Sequence, residues 1–404
     1  MQHSQRRGES SFPLYASIEL LYWLGYSASA FLAAYLADQS FSGTAVGTIM
    51  AVVNLIGVLS APLMGNAADK SGLPRRVFIV CAAAVALVAA AIPFGVRHAV
   101  FGVNLVIPLY FAWAFFCKPM SGLCDGWILS VIDNGGGFSY GAIRYIGSFG
   151  YALMCVLYAA AAKRAGTQDV IFYLYAGINV VLCAVCVYAR RDDHPVRREK
   201  KQKVGLRAVF GQYYLLVYLV CHCLVNLPMY CSITFIPYKL IELTGQTGSL
   251  GNITALRSLA EIPMLILSVH VIRRFGVEKC LWCVMAAFAA VQVLFIAATG
   301  VGMLTVAMIL MGFINGAFMA CYIRYVHEIA PPAAANSALT LCVSTALVSA
   351  MAGNVVGGML VDAFGTTAYF LFAMASAALA AVVFAVSFPV GKHLGKEFIR
   401  YNEQ

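Results

Sequence analysis

Six ionisable side chains sit inside long apolar stretches of this 404-residue sequence: Glu19, Lys118, Asp125, Arg144, Arg257 and Glu261. A charge near a bilayer centre costs roughly 2.5–3.5 kcal/mol on insertion scales, so each should have a partner or a task. Three are acidic and three basic, which suggests pairing. Asp125 falls shortly before the expected end of one span and Arg144 shortly after the start of the next. At ~1.5 Å rise per residue the two reach similar depth on antiparallel neighbours. Such a pair can hold hydroxyl groups from both sides, the guanidinium donating in a fixed fork, or it can simply lock two helices together. Lys118 stands seven residues before Asp125, beside a proline expected to bend the helix; it can meet an anionic solute or pair with a carboxylate. Arg257 and Glu261 are four apart and share one helical face. Glu261 is a candidate proton carrier with Arg257 beside it; a structural pair is the alternative. Glu19 lines a cavity or reaches the interface, and His222 is a proton carrier or a hydrogen-bonded packing residue. Tyr22 and Tyr26 share a face and can stack on a ring or belong to an interfacial belt.

The elements that must position these residues follow from composition. The chain is 62% hydrophobic and 11% charged. Soluble domains carry about 25% charged residues. An ordinary soluble enzyme, a nucleic-acid-binding domain and a disordered chain are thereby excluded. At ~20 residues per span, the apolar content suffices for about twelve transmembrane helices. Spans are expected near 13–36, 43–65, 76–95, 103–131, 139–162, 169–189, 209–238, 247–272, 278–299, 302–325, 333–360 and 365–389. Helices are required, because lipid offers the backbone no partners. The first run is too long for a signal-peptide core and reads as a span. The 13 cysteines lie mostly in apolar runs; Cys183-x-x-Cys186 and Cys280-x-x-Cys283 lack the company of a metal site.

The net charge of +10 is unevenly placed. With the N-terminus inside, twenty Lys and Arg fall on cytoplasmic segments and four outside, which makes both termini cytoplasmic. The most hydrophilic stretch, Arg190–Arg207, lies near the midpoint with six spans on each side. The expected organisation is a six-helix bundle over 1–189, a cytoplasmic linker over 190–208 and a second bundle over 209–404. Weakly similar basic loops follow spans 2 and 8, about 200 residues apart, as in transporters built from parallel repeats.

The first of those loops, Gly65-x-x-x-Asp69-Lys70-x-Gly72 followed by Arg75 and Arg76, resembles the loop 2–3 motif of the major facilitator superfamily. The resemblance covers the whole chain and implies that the loop acts as a conformational latch. The run Tyr140-Gly141-x-x-Arg144-x-x-Gly147-Ser148-x-Gly150-Tyr151, preceded by Phe138 and Ser139, resembles span 5 of the lactose permease, nucleoside–proton symporter and phenylpropionate permease group. Pro119 to Asp125 and Gly353 to Gly365 resemble spans 4 and 11 of the same group. The resemblance assigns substrate binding to Asp125 and Arg144, makes Tyr151 a candidate for ring stacking, and places Glu261 at an essential carboxylate. Two departures stand out. The group's span 10 His and Glu have no counterpart between Ile309 and Phe318, where Asn315 is the polar residue. Gln292 stands where the group carries an Arg in span 9. Asn315 and Gln292 are therefore candidate solute contacts.

The implied protein is an all-α, multi-pass transporter of the plasma (inner) membrane. It moves a sugar or glycoside, a nucleoside or an aromatic acid by alternating access, in symport with protons. A proton-driven efflux antiporter is the alternative. No P-loop and no Gly-x-Ser-x-Gly elbow is present, so an enzyme, ATP drive, a cofactor and a metal are not expected. The expected partners are the solute, H+ and the lipid bilayer, with no nucleic acid and no obligatory protein partner.

Overall fold

A computed structural model describes residues 2–133, 140–189, 212–331, 335–396 and 398–401. The expected linker, 190–208, lies outside these residues, as do Phe138 and Ser139. The chain folds into α1 (Gln2–Tyr26), a 3-10 turn (Ser27–Phe31), α2 (Leu32–Asp38), α3 (Gly43–Ser71), α4 (Pro74–Val96), α5 (Val106–Cys117), α6 (Met120–Asp133) and α7 (Tyr140–Ala165). There follow α8 (Asp169–Tyr188), α9 (Tyr213–Thr244), α10 (Leu250–Phe275), α11 (Val277–Ala297), α12 (Val301–Ile329), α13 (Ala335–Phe364) and α14 (Thr366–His393).

Eleven helical stretches among the described residues are long and apolar enough to cross a membrane. Two are compound. Phe12–Asp38 joins α1 and α2 through the 3-10 turn, where the Ser27 hydroxyl donates to the Leu24 carbonyl at 2.7 Å. Val106–Ile132 joins α5 and α6 across Lys118 and Pro119. A proline has no N–H to continue the ladder, so the helix breaks there. The twelfth long helix is α10, whose 26 residues include Arg257, Glu261, Arg273 and Arg274. The departure from an all-helical chain is a small antiparallel hairpin between α4 and α5, Ala99–Val100 with Val103–Asn104. Its two-residue turn, Phe101-Gly102, has positive φ at both positions (51° and 78°). That geometry matches the twist of paired strands.

The described residues group into two compact units. The first gathers 1–39, 52–199 and 250–255; the second gathers 40–51, 200–249 and 256–404. The first turns of α3 belong to the second unit because Gly43 and Gly47 pack on the backbone of α13 at Asn354 and Gly358. The first turn of α10 belongs to the first unit because Gly251 packs on Cys155 and Ala159 of α7. In the first unit α1 packs on α7 and α8, and α4 on α8 and α5. In the second, α9 packs on α13 and α14, and α11 on α12 and α14. Lipid is as apolar as the helices, so these contacts rest on close packing of small residues and on polar bonds between helices rather than on expulsion of water.

Candidate functional site

In the first unit a fully buried carboxylate stands on α1. Glu19 and Trp23 are one turn apart and share a face. Glu19 is fully buried. Its Oε1 accepts from Trp23 Nε1 at 2.8 Å and from the Arg144 guanidinium of α7 at 3.1 Å; its Oε2 accepts from Cys124 Sγ of α6 at 3.5 Å. The guanidinium carbon of Arg144 also lies 4.1 Å from the centroid of the Trp23 ring. Arg144 thus stacks on the indole and forms an ion pair with the acid that orients it. Its side chain remains 37% exposed, so the cluster opens to one side. Glycine makes this approach possible. A Cβ at Gly147 would collide with the Trp23 ring, and one at Gly150 would stand 2.6 Å from Leu20 Cδ1.

Depth matching along α6 and α7 does not single out Glu19; the structure forms an Arg144–Glu19 ion pair, with α1 brought against α7 where the glycines of α7 allow close approach. Tyr22, Tyr26 and Tyr151 stand edge-on to Trp23, with centroids at 5.2, 5.3 and 6.2 Å. The signal for Trp23 was its place four residues after Glu19. Lys118 lies apart from this cluster. Its stem packs on Gly57, and its Nζ donates to Asn54 Oδ1 of α3 at 3.3 Å. With Gly65, Asp69, Gly72, Gly122 and Gly126 it lines a cavity of about 290 Å³.

The second unit contains a cavity of about 170 Å³ between α9, α10, α12 and α13, lined by His222, Asn226, Arg257, Asn315, Phe318 and Tyr322 among others. Three of the expected residues therefore meet: His222, Arg257 and Asn315. His222 Nδ1 lies 3.0 Å from Asn226 Nδ2 and 3.1 Å from Thr345 Oγ1, and its ring stacks on Phe318 at 5.7 Å. An amide nitrogen can only donate, so Nδ1 accepts and the neutral ring carries its proton on Nε2. Sequence spacing gave no sign of Asn226 as the orienting partner beyond its place one turn on.

Gly312 and Gly316 of α12 let the α10 backbone approach at Arg257 and Glu261, because a Cβ at either would collide with those carbonyls. Arg257 and Glu261 form no ion pair despite their spacing. Glu261 does not line the cavity. Gln292 does not line it either; it is fully buried and donates to the Phe288 carbonyl at 3.3 Å.

In the loop after α3, Gly72 takes the left-handed conformation (φ 64°) that a sharp turn needs. Arg75 is buried and donates to the Cys186 carbonyl of α8 at 3.1 Å. Gly65 makes no close approach, since a Cβ there would meet nothing within 4 Å. Lys70 closes the last turn of α3, and the Arg76 amide donates to the Leu73 carbonyl at 3.0 Å. At the opposite end of α3, the Asp362 carboxylate of α13 accepts from the amides of Gly43 (2.6 Å) and Thr44 (2.8 Å).

Long apolar helices that carry buried charges and enclose cavities are the architecture of a helical membrane protein. Residues 15–372 match the MFS_1 like family. The chain belongs to that family and is a secondary transporter of the major facilitator superfamily. It is 26% identical to the maltose permease of Geobacillus stearothermophilus over 84% of this chain and 85% of that protein. It is 22% identical to the uncharacterized transporter YwbF of Bacillus subtilis (strain 168) over 75% of this chain and 74% of that protein. Among solved structures, the nucleoside transporter NupG superposes with a TM-score of 0.77 at 15% identity, covering 93% of this chain and 99% of that one. An auto inhibited POT family peptide transporter superposes with a TM-score of 0.72 at 14% identity, covering 94% and 97%. These two show the shared fold.

Proposed function

We propose that this transporter takes up a sugar or glycoside across the plasma membrane in symport with protons, and that Glu19, Trp23 and Arg144 form its solute clamp. The observation that carries this reading is the buried Glu19 carboxylate, held by both the indole and the guanidinium. A sugar offers an apolar face and a fringe of hydroxyls. An indole face can take the first, and an Arg fork beside a carboxylate can take the second. The maltose permease relationship supports the same class.

The cluster also supplies a coupling step. In this structure the guanidinium covers the indole face. While Glu19 is ionised it holds Arg144 in that position. A proton taken up by Glu19 cancels its charge and frees Arg144 to swing off the ring and donate to solute hydroxyls. Solute binding is then favoured by protonation, which is the requirement for symport. The concentration of basic residues on the cytoplasmic side supports an orientation with both termini inside. The loop from Gly65 to Arg76, pinned through Arg75, serves as the latch of the conformational cycle.

The test is uptake into proteoliposomes under an inward proton gradient, with maltose, a nucleoside and an aromatic acid as labelled solutes. Accumulation of the sugar, with exchange but no accumulation in Glu19→Gln, is expected. Accumulation by Glu19→Gln equal to wild type would sink the coupling role. Depletion of preloaded solute under the same gradient would make the protein an exporter.

A further inference from the structure

Arg257 is among the charges that this scheme does not use. The eighth residue of the 26 in α10, it is only 9% exposed. Its Nε is buried without a hydrogen-bond partner. No carboxylate among the described residues pairs with it, and no Asp or Glu lines the cavity that it faces. On the same cavity wall, Asn315 Oδ1 is a buried acceptor, also without a partner. His222 adds a ring whose Nδ1 is already engaged. A guanidinium kept out of water at membrane depth is costly unless an anion meets it. A neutral sugar would satisfy the hydrogen bonds and leave the charge. A bare carboxylate would satisfy the charge and leave Asn315, because a carboxylate has no proton to give. A hydroxylated acid satisfies both. Its carboxylate accepts from Arg257, and a nearby hydroxyl donates to Asn315 Oδ1. Phe318 and Tyr322 supply flat walls beside them.

We propose that the cavity between α9, α10, α12 and α13 binds the carboxylate and a neighbouring hydroxyl of an acidic sugar, so that the solute taken by this transporter is an acidic one. The assignment rests on the sugar reading above and narrows it. Arg257 is then a binding residue, and its lack of a protein partner is what leaves it available to solute.

The experiment compares neutral and acidic forms of one skeleton by thermal stabilisation of the purified full-length protein. D-glucose is set against D-glucuronate, and maltose against maltobionate, with acetate as the plain carboxylate. Binding raises apparent stability by mass action. A charge-assisted bond corresponds to about a 10- to 100-fold lower half-maximal concentration for the acid of each pair. Arg257→Gln should erase that preference, and Arg257→Lys should keep part of it. Should Arg257→Gln not fold, Asn315→Ala should weaken D-glucuronate while leaving acetate unchanged. Neutral sugars acting at or below the concentrations of their acids would overturn the subsite and leave the sugar reading intact. Persistence of the preference in Arg257→Gln, or an unchanged D-glucuronate response in Asn315→Ala, would also overturn it. Acetate acting as strongly as D-glucuronate would overturn the hydroxylated-acid assignment and the sugar reading together. No response to any of the five would overturn both as well.

Discussion

Glu19 and Arg144 illustrate how buried charge constrains the molecule. Removing Arg144, itself 37% exposed, leaves the fully buried Glu19 without its counter-charge, at a cost of about 1–3 kcal/mol, at or below the lower end of the buried-pair range. Arg144→Ala should therefore lower thermal stability, and adding Glu19→Gln should recover most of the loss. A double-mutant cycle measures this coupling directly. Additive effects would show that the two side chains do not interact. Sequence spacing singles out both residues as charges inside apolar runs but gives no sign that Arg144 meets Glu19. Depth along a helix can be counted from sequence, whereas the choice of facing helix depends on which surfaces can approach. The missing Arg257–Glu261 pair has a similar lesson. Four-residue spacing makes contact possible on one face; the side chains still follow the cavity and neighbours that tertiary packing provides.

Helices are brought together by glycines at defined heights. Gly147→Ala should push α7 away from Trp23 and destabilise the protein by about 1–3 kcal/mol, the usual cost of overpacking. Gly122→Ala is the control. Its Cβ would meet nothing within 4 Å, and alanine is the better helix former, so stability should hold or rise slightly. Equal losses at the two positions would contradict the packing account. The N-terminus of α3 offers a separate case. Asp362 satisfies two of its free amides, as a capping carboxylate does, so Asp362→Ala should cost about 1 kcal/mol in thermal unfolding. An unchanged melting temperature would show that the cap contributes nothing. Nothing in the local sequence of α3 announces a cap that comes from α13, more than three hundred residues away.

At the scale of the whole molecule, the spans were legible because lipid forces apolar segments into helices. One of the two interrupted spans carried a local mark, the proline at 119, whereas the turn at Ser27 in the first span appeared only in the structure. The grouping of the first turns of α3 and α10 was not legible, because it depends on backbone contacts at Gly43, Gly47 and Gly251 that no periodicity encodes. The sites divide likewise: residue types and spacings could be read, and the Trp23 and Asn226 contacts emerged only with the fold. The central claim is that solute and proton bind together through Glu19. It is tested most directly by following the pH of a lightly buffered solution as saturating sugar, in whichever form binds, is added to the purified protein. Wild type should take up protons on binding, and Glu19→Gln should bind without doing so. Binding by wild type with no proton uptake, or the same uptake in Glu19→Gln, would contradict it.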